Sequence, residues 1–408
     1  MNRKEKFKQA NREANATWLA LLIVIVFWCV AGFGLADVKV EFFQTPLWVS
    51  VPCPSKDEKA EADLLVQKLQ AMGLEVKVDD AGRKIGGTTG NVWAFLSGNV
   101  EGAAGLFFEA HMDSVPPTTG TKVVLRDGVL YSDGTTTLGG DDKVGIAAVL
   151  EAVRAVQEQN IPHGDIQLCF TIAEEIGCLG VVNLDPKDIR ADLGYCLDIG
   201  GAPGIVTNSA PRLFDIYFTV KGKSAHAGIE PEKGINAIML AAKALTALPA
   251  YGRLDEETTL NIGQIEGGAA TNIVAEQAKF VIDMRCMDPD KLERLKNETI
   301  RCIREVVEAG GGILEVDPVE GCPAVHVAED HTAVLLAKQA ADNLQLPFEL
   351  TKTGGCSDGN FLCGYGLPCV LLATGMNKVH TTEECLRECD LYDCARWVTE
   401  IIRITGEK

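Results

Sequence analysis

Histidines and carboxylates follow several apolar segments of this sequence directly. The first example is His111-Met112-Asp113, which comes after the segment GLFFEA. Residues two apart on a strand point to the same side, so Asp113 can orient a metal-binding His111, as carboxylates commonly do for such imidazoles. An H-x-D pattern is weak by itself, because chance also produces it at strand ends.

Two further segments carry adjacent pairs of carboxylates. GGDDKVGIAA places Asp141 and Asp142 at the start of an apolar helix, where ordinary N-capping explains them equally well. The glycine pair before them indicates close backbone packing. TIAEE ends in Glu174 and Glu175, whose side chains point in opposite directions if the strand continues. Burying such a pair is costly unless cations neutralise it. One carboxylate would then bind metal and its neighbour take a proton from water, and a solvated pair in a loop is the alternative.

The segments LDIGG and KVHTTEE add Asp198 and His380 at further predicted strand ends. Two imidazoles and at least three carboxylates form a nitrogen and oxygen ligand set that suits Zn²⁺, with Co²⁺ or Mn²⁺ as alternatives. Two ions that share one carboxylate support hydrolysis by activated water without a protein nucleophile. The sequence therefore predicts a hydrolytic site with two divalent metal ions.

The elements that must position these residues begin near residue 51. Strand-like segments such as DIQLCFTIAEE and LGYCLDIGG alternate with helical ones such as DDKVGIAAVLEAVRAVQEQN. This alternation predicts an α/β fold with a mostly parallel sheet covered by helices, in which ligands bind beyond the carboxyl ends of the strands. In SKDEKAEADLLVQKLQAMG, Ser55 and Glu58 fit a capping box at the start of a helix.

A different pattern occupies residues 211–320. Its strand–helix–strand–strand–helix–strand order is the ferredoxin-like α+β arrangement, a compact unit that can be inserted into another domain. We therefore expect a catalytic domain at 51–210 and 321–408 with an inserted lid.

The composition argues against one class of partner and favours one type of compartment. A net charge of −19 over 408 residues argues against nucleic acid as a partner. The 14 cysteines show no paired spacing of a structural zinc module, so we expect free thiols, which fit a reducing cytosol.

The N-terminal residues 1–50 predict a membrane segment. Residues 17–36 read TWLALLIVIVFWCVAGFGLA, an uncharged stretch long enough to span a bilayer as a single-pass helix. Basic residues before this stretch favour a cytoplasmic N-terminus and a catalytic domain on the other side, whereas the free cysteines favour the cytoplasm for that domain. A signal peptide is the alternative, but no clear cleavage site follows.

From about residue 49 to the C-terminus the sequence resembles the M20 metallopeptidases, and within them the peptidase T-like, tripeptide aminopeptidase-like branch. The resemblance rests on ordered motifs: HMDSV, SDGTTTLGGDDKVGIAAVLEA, TIAEEIGCLG, LDIGG, GKSAHAG, EGGAATNIV, GGCSDGNFL and VHTTEE. It implies hydrolysis of peptide bonds in short peptides. An N-acyl-amino-acid deacylase or a dipeptidase is the alternative within this fold. A non-catalytic, membrane-anchored binding protein is the alternative of another class, which the intact ligands and base disfavour.

The resemblance also implies a role for each site residue. Asp141 bridges the two ions, Asp113 orients His111, and Glu174 is the general base. The remaining assignments are His111 and Asp198 on one ion, Glu175 and His380 on the other, and His226, Asn272, Arg285, Gly355, Ser357 and Asp358 in substrate binding. The lid is expected to form a homodimer in which His226 reaches the partner's reaction site.

Residues 1–50 resemble the first span of small two-span bacterial membrane proteins associated with sodium/pantothenate symporters. FKQANREANATWLALL and FGLADVKVEFFQTPLWV carry this resemblance. We expect a gene fusion, or a deletion or assembly artefact, that joined such a fragment to a hydrolase.

Overall fold

The structure is a computed structural model, and it describes residues 51–407. The predicted membrane segment at 1–50, including its span at 17–36, lies outside the described residues. Within residues 51–407, no helix has the length and apolar character needed to cross a membrane.

Helices and strands alternate along most of the described chain. The α-helices are α1 (Lys59–Ala71), α2 (Ala81–Ile85), α3 (Gly140–Glu158), α4 (Leu179–Val182), α5 (Ala237–Thr246), α6 (Pro289–Ala309), α7 (Thr332–Leu344), α8 (Asp358–Gly364) and α9 (Glu388–Gly406). The strands before the lid are β1 (Glu75–Val78), β2 (Val92–Leu96), β3 (Leu106–His111), β4 (Val124–Arg126), β5 (Val129–Tyr131), β6 (Ile166–Thr171), β7 (Leu193–Ile199) and β8 (Ile205–Ala210). The later strands are β9 (Arg212–Lys221), β10 (Gly252–Asp255), β11 (Thr258–Gly267), β12 (Gln277–Cys286), β13 (Ile313–Cys322), β14 (Val325–His326), β15 (Glu349–Lys352), β16 (Cys369–Ala373), β17 (Met376–Asn377) and β18 (Cys385–Arg387).

A nine-stranded sheet carries two of the predicted metal ligands, His111 and Asp198. Its order is β1-β2-β6-β3-β7-β16-β8-β14, and β15 pairs with β8. The central strands β6, β3, β7 and β16 are parallel, but β1, β2 and β14 join antiparallel, as does β8 to β16. The prediction of a mostly parallel sheet is therefore correct for the centre and for the β15–β8 pair, but not for the other outer strands.

The central strands are buried on both faces, which explains their continuous apolar sequence. Every residue of β3 and β6 is buried. Helix α3 packs against β3 and β7, and α9 packs against α3. The buried indole of Trp397 in α9 donates a hydrogen bond to the carbonyl of Ala337 in α7. This rigid centre holds the strand ends from which the site is built.

The inserted lid has its own sheet and its own apolar core. Its antiparallel order is β10-β11-β12-β9-β13, and α5 and α6 contact this sheet. The predicted four-strand order thus lacks one strand, because the short β10 pairs with the start of β11 as an additional hairpin. Phe218 and Phe280 stack in the lid core, with ring centroids 4.8 Å apart.

Two cysteines form a disulfide, although the sequence predicts free thiols. Cys322, at the end of the last lid strand, forms a disulfide with Cys356 in the loop before α8. The bond links two segments that lie 34 residues apart. The other cysteines within residues 51–407 are free.

Candidate metal centre

One half of the centre lies where β3 ends and α3 begins. The Nε2 atom of His111 is 3.1 Å from Asp141 Oδ1 and 3.9 Å from Asp198 Oδ1. His111 is the last residue of β3, and Asp198 lies near the end of the adjacent parallel strand β7. Parallel strands bring their carboxyl ends to the same edge, so these residues converge although they are distant in sequence.

The other half is formed by His380 and Glu175. The Nε2 atom of His380 is 3.1 Å from Asp141 Oδ2 and 3.0 Å from Glu175 Oε2. Residue 380 follows β17 in a loop and has a positive φ of 63°, so it does not end a strand as the sequence predicts. Asp141 therefore presents one carboxylate oxygen to each of two imidazole–carboxylate pairs.

This arrangement fits two divalent cations. Ligand atoms of His111, Asp141 and Glu175, and likewise of His111, Asp142 and Asp198, lie within 4.8 Å of one another. Two atoms that bind the same ion at about 2.0–2.2 Å lie at most about 4.4 Å apart, and His380 Nε2 meets this limit with both Asp141 Oδ2 and Glu175 Oε2. Glu175 Oε1 is buried and has no hydrogen-bond partner, a cost that a cation would remove.

The pKa values of Asp141 and His380 are shifted because several charged groups lie close together. Burial opposes ionisation of Asp141, but hydrogen bonds from the two imidazoles hold its pKa below the usual range. The hydrogen bonds with Asp141 also raise the pKa values of the two histidines. Hydrogen bonds to Asp141 and Glu175 raise the pKa of His380 to about 10. Without metal, the protonated imidazole supplies part of the positive charge that the carboxylates require.

Asp113 is buried and joins the two loops that flank β3 and β6. His111 Nδ1 donates to the main-chain oxygen of Asp113 at 2.9 Å, and the carboxylate lies 3.5 Å away. The carboxylate itself accepts the N–H groups of Glu174 and Glu175 at 3.0 and 3.3 Å and the hydroxyl of Ser55 at 2.6 Å. Asp113 thus holds the Glu174–Glu175 loop as well as the imidazole.

The predicted capping box is wrong, and its two residues serve the site instead. Helix α1 begins after Glu58, and Ser55 bonds Asp113 rather than the helix. Glu58 Oε1 accepts the N–H of Ala173 at 3.1 Å, which steadies the loop before Glu174. No local pattern in the sequence distinguishes these long-range bonds from capping.

Glu174 belongs to a second buried cluster of possible ligand atoms, with Cys178 and Asp358. Its carboxylate accepts the thiol of Cys178 at 3.4 Å, and Asp358 lies in the same buried cluster. Burial raises the pKa of Glu174 to about 8, with Asp358, Glu175 and Asp113 adding to the shift and His111 opposing it. A carboxylate with a pKa near neutrality is suited to accept and return a proton.

Comparison with known proteins identifies the family. The chain is 36% identical to the aminopeptidase PepT of Bacillus cereus, covering 92% of this chain and all of that one, with a TM-score of 0.86. The chain belongs to the M20 metallopeptidase family. A tripeptidase of Staphylococcus aureus is 34% identical, with the same coverage and a TM-score of 0.87. The uncharacterized protein YqjE of Bacillus subtilis is 38% identical over 87% of this chain and 95% of its own length.

Family models match three parts of this M20 peptidase. The peptidase dimerisation domain matches residues 213–310, which lie within the lid, and peptidase family M28 matches residues 91–203. A family described as a protein of unknown function, DUF997, matches residues 9–54. The N-terminal part of the M20 peptidase therefore matches a different family from the remainder.

The residues predicted to bind substrate lie in two places. The GGCSDGN loop is contacted by the lid, because Arg285 donates to the carbonyl of Gly354 at 2.9 Å while it also pairs with Asp283. Gly355 is half-buried. Ser357 and Asp358 are buried at the start of α8, and neither carboxylate oxygen of Asp358 has a hydrogen-bond partner.

His226 and Asn272 lie side by side on exposed segments of the lid. The N–H of Ala227 donates to the carbonyl of Asn272 at 3.0 Å. The N–H of Gly228 donates to His226 Nδ1 at 3.2 Å, so the neutral imidazole carries its proton on Nε2, where it can donate. Within residues 51–407, no hydrogen bond or ion pair connects either side chain to the metal ligands.

The metal-free M20 peptidase should lose stability as pH rises. Glu174, with its pKa raised from 4.5 to about 8, keeps a proton that the unfolded chain releases, and His380 does the same between 6.5 and about 10. The folded state then binds more protons, so the free energy of unfolding falls with pH. Calorimetry of chelator-treated protein between about pH 6 and pH 9 measures this.

Metal-loaded protein provides the comparison for this pH dependence. Its ligands must be deprotonated to bind, so the stabilisation by metal should grow over the same interval. An unfolding temperature of the metal-free protein that rises from pH 6 to pH 9 would contradict the assignment of charge to these residues.

Proposed function

We propose that this M20 peptidase is a two-metal aminopeptidase that releases the N-terminal residue from tripeptides and similar short peptides. One observation carries the proposal: each carboxylate oxygen of Asp141 faces a separate imidazole–carboxylate pair. The names of two relatives over 30% identical, an aminopeptidase and a tripeptidase, support the substrate class.

The proposed ligands divide around Asp141. His111 and Asp198 would hold one ion and Glu175 and His380 the other, with the Asp141 carboxylate as the ligand that both would share. The nitrogen and oxygen donors suit Zn²⁺, with Co²⁺ or Mn²⁺ as alternatives. When bound, two such ions polarise the scissile carbonyl and lower the pKa of water between them.

The remaining steps belong to side chains of the protein. Glu174 accepts the proton of the attacking water and returns it to the leaving amine nitrogen. Asp113 keeps the Glu174 loop and the His111 ring in place through the bonds described above. His226 and Asn272 donate to the developing oxyanion, and Arg285, Gly355, Ser357 and Asp358 contribute to the peptide-binding surface.

A homodimer through the lid is part of the proposal. The match of residues 213–310 to a peptidase dimerisation domain supports it. The exposed position of His226, apart from the ligands of its own chain, supports action on the partner's site.

A peptide panel tests the function. The purified chain loaded with Zn²⁺ or Co²⁺ should release the first residue of tripeptides, whereas N-acetylated tripeptides, which lack the free amine, should remain intact. Preferential cleavage of N-acyl amino acids would instead indicate the deacylase alternative. Absence of turnover with every substrate by fully loaded protein would indicate a binding protein.

Membrane attachment through residues 17–36 is a separate proposal. Its support is the uncharged apolar sequence of that stretch. The full chain expressed in cells should remain in the membrane pellet after alkaline carbonate extraction. A control chain with Ile23→Lys and Ile25→Lys should be released. Release of the unaltered chain would contradict the proposal.

A further inference from the structure

Glu384 reaches from the loop that follows His380 to the start of helix α3. Its side chain is buried, with only 2% of the residue exposed. Its Oε1 accepts the N–H of Asp141 at 2.9 Å, and its Oε2 accepts the N–H of Gly139 at 2.8 Å. The first N–H groups of a helix have no partner within the helix, and a residue 243 positions away in sequence provides one here.

Glu384 connects the two chain segments that carry Asp141 and His380. The N–H of Glu384 donates to the carbonyl of Thr381 at 3.2 Å, which places Glu384 in the turn that directly follows His380. Its carboxylate accepts hydrogen bonds from the main-chain N–H groups of Gly139 and Asp141. The proposed bridging ligand and a ligand of one ion are thereby held by a single buried residue.

The glycine pair before Asp141 leaves the space that Glu384 occupies. A Cβ atom on Gly140 would lie 3.0 Å from Glu384 Oε1, a contact that requires the carboxylate to shift. Gly139 has a φ of 74°, which side chains rarely adopt. The close packing that the glycines indicate is therefore packing against a carboxylate.

A helix start favours a carboxylate as a partner of its N–H groups, but at this position the carboxylate lies beside other carboxylates. A serine or asparagine caps a helix start without a charge, whereas a carboxylate adds a negative charge beside Asp141, in a region already rich in carboxylates. Such a charge is costly to bury unless cations lie nearby. Carboxylates behind metal ligands orient those ligands and strengthen their interaction with the ion.

We propose that Glu384 is a positioning residue of the two-metal centre, which sets the Asp141 carboxylate relative to His380 through the N–H groups of Gly139 and Asp141. The inference rests on the proposed function, because it concerns the same centre. Its test nevertheless measures metal affinity, which does not depend on the substrate.

The test is Glu384→Gln in the full chain. Glutamine has one acceptor oxygen, so only one of the two N–H groups keeps its partner. The affinity for Zn²⁺, measured by chelator competition on folded protein, should fall by about 10–100-fold. With peptide at saturating metal, kcat should fall and KM should stay unchanged, because Glu384 is buried and is not one of the proposed substrate-binding residues.

Two further variants keep the result interpretable. Glu383→Gln is the matched control, because this neighbour is 73% exposed and pairs with Lys378; its Zn²⁺ affinity should equal that of the unaltered protein. Gly140→Ala should lower the affinity in the same direction as Glu384→Gln by displacing the carboxylate. It provides the answer if Glu384→Gln does not fold.

The outcomes separate this inference from the proposed function. In one outcome, folded Glu384→Gln or Gly140→Ala protein keeps its Zn²⁺ affinity and shows only a lower unfolding temperature. That result would show that Glu384 acts only as a helix cap. If the unaltered protein cleaves no peptide but binds Zn²⁺ and loses affinity in these variants, the function fails and the role of Glu384 stands.

Discussion

Replacing Glu174 by glutamine should lower kcat by about 10²–10⁴-fold, the usual contribution of a general acid–base group. Glutamine preserves the shape of the side chain but cannot accept a proton. The bonds that hold the loop involve the main-chain N–H groups of Glu174 and Glu175 on Asp113, and the substitution leaves these in place. The peptide panel at saturating metal measures the change.

Metal content is the control that gives this result its meaning. Glu174→Gln should still hold about two ions per chain, because Glu174 is not one of the proposed ligands. Asp141→Asn is the contrasting variant. It removes the charge that faces both His111 and His380, so it should lose metal together with activity. Loss of metal in Glu174→Gln would show that base and ligand have been assigned to the wrong residues.

Mixing two inactive chains should restore activity if His226 acts across the dimer. One chain carries His226→Ala, which removes an oxyanion donor and should cost about 10²–10³-fold in kcat. The other carries Glu174→Ala. After subunit exchange about half of the dimers are mixed, and each mixed dimer has one site with both residues intact. Activity should return to roughly a quarter of the unaltered level.

The control mixture contains no intact site under either geometry. It combines Glu174→Ala with a chain that carries both Glu174→Ala and His226→Ala, and it should remain inactive. Recovery in the first mixture alone supports the proposed dimer. A first mixture no more active than its parents would indicate that His226 serves the site of its own chain.

The residue types of the centre are predictable because each motif is local. His111 is the last residue of one apolar strand and Glu174 follows another, and the parallel pairing of β3 with β6 brings the ends of those strands together. The alternation of strands and helices implies this edge before any coordinates are known. The antiparallel outer strands and the extra lid hairpin do not follow from that alternation, since short strands carry little periodic signal.

The sequence by itself determined the candidate ligand types, the acidic pair that follows β6 and the insertion of a lid, because these depend on neighbouring residues. It placed the acidic pair at a strand end, whereas Glu174 and Glu175 lie in the loop after β6. Only the tertiary structure decided which oxygen of Asp141 faces which imidazole, that Ser55 bonds Asp113 rather than capping a helix, and that Glu384 fills the space beside Gly140. The physical reason is the same in each case. These contacts join segments far apart in the chain, and their geometry depends on how the buried core packs those segments together.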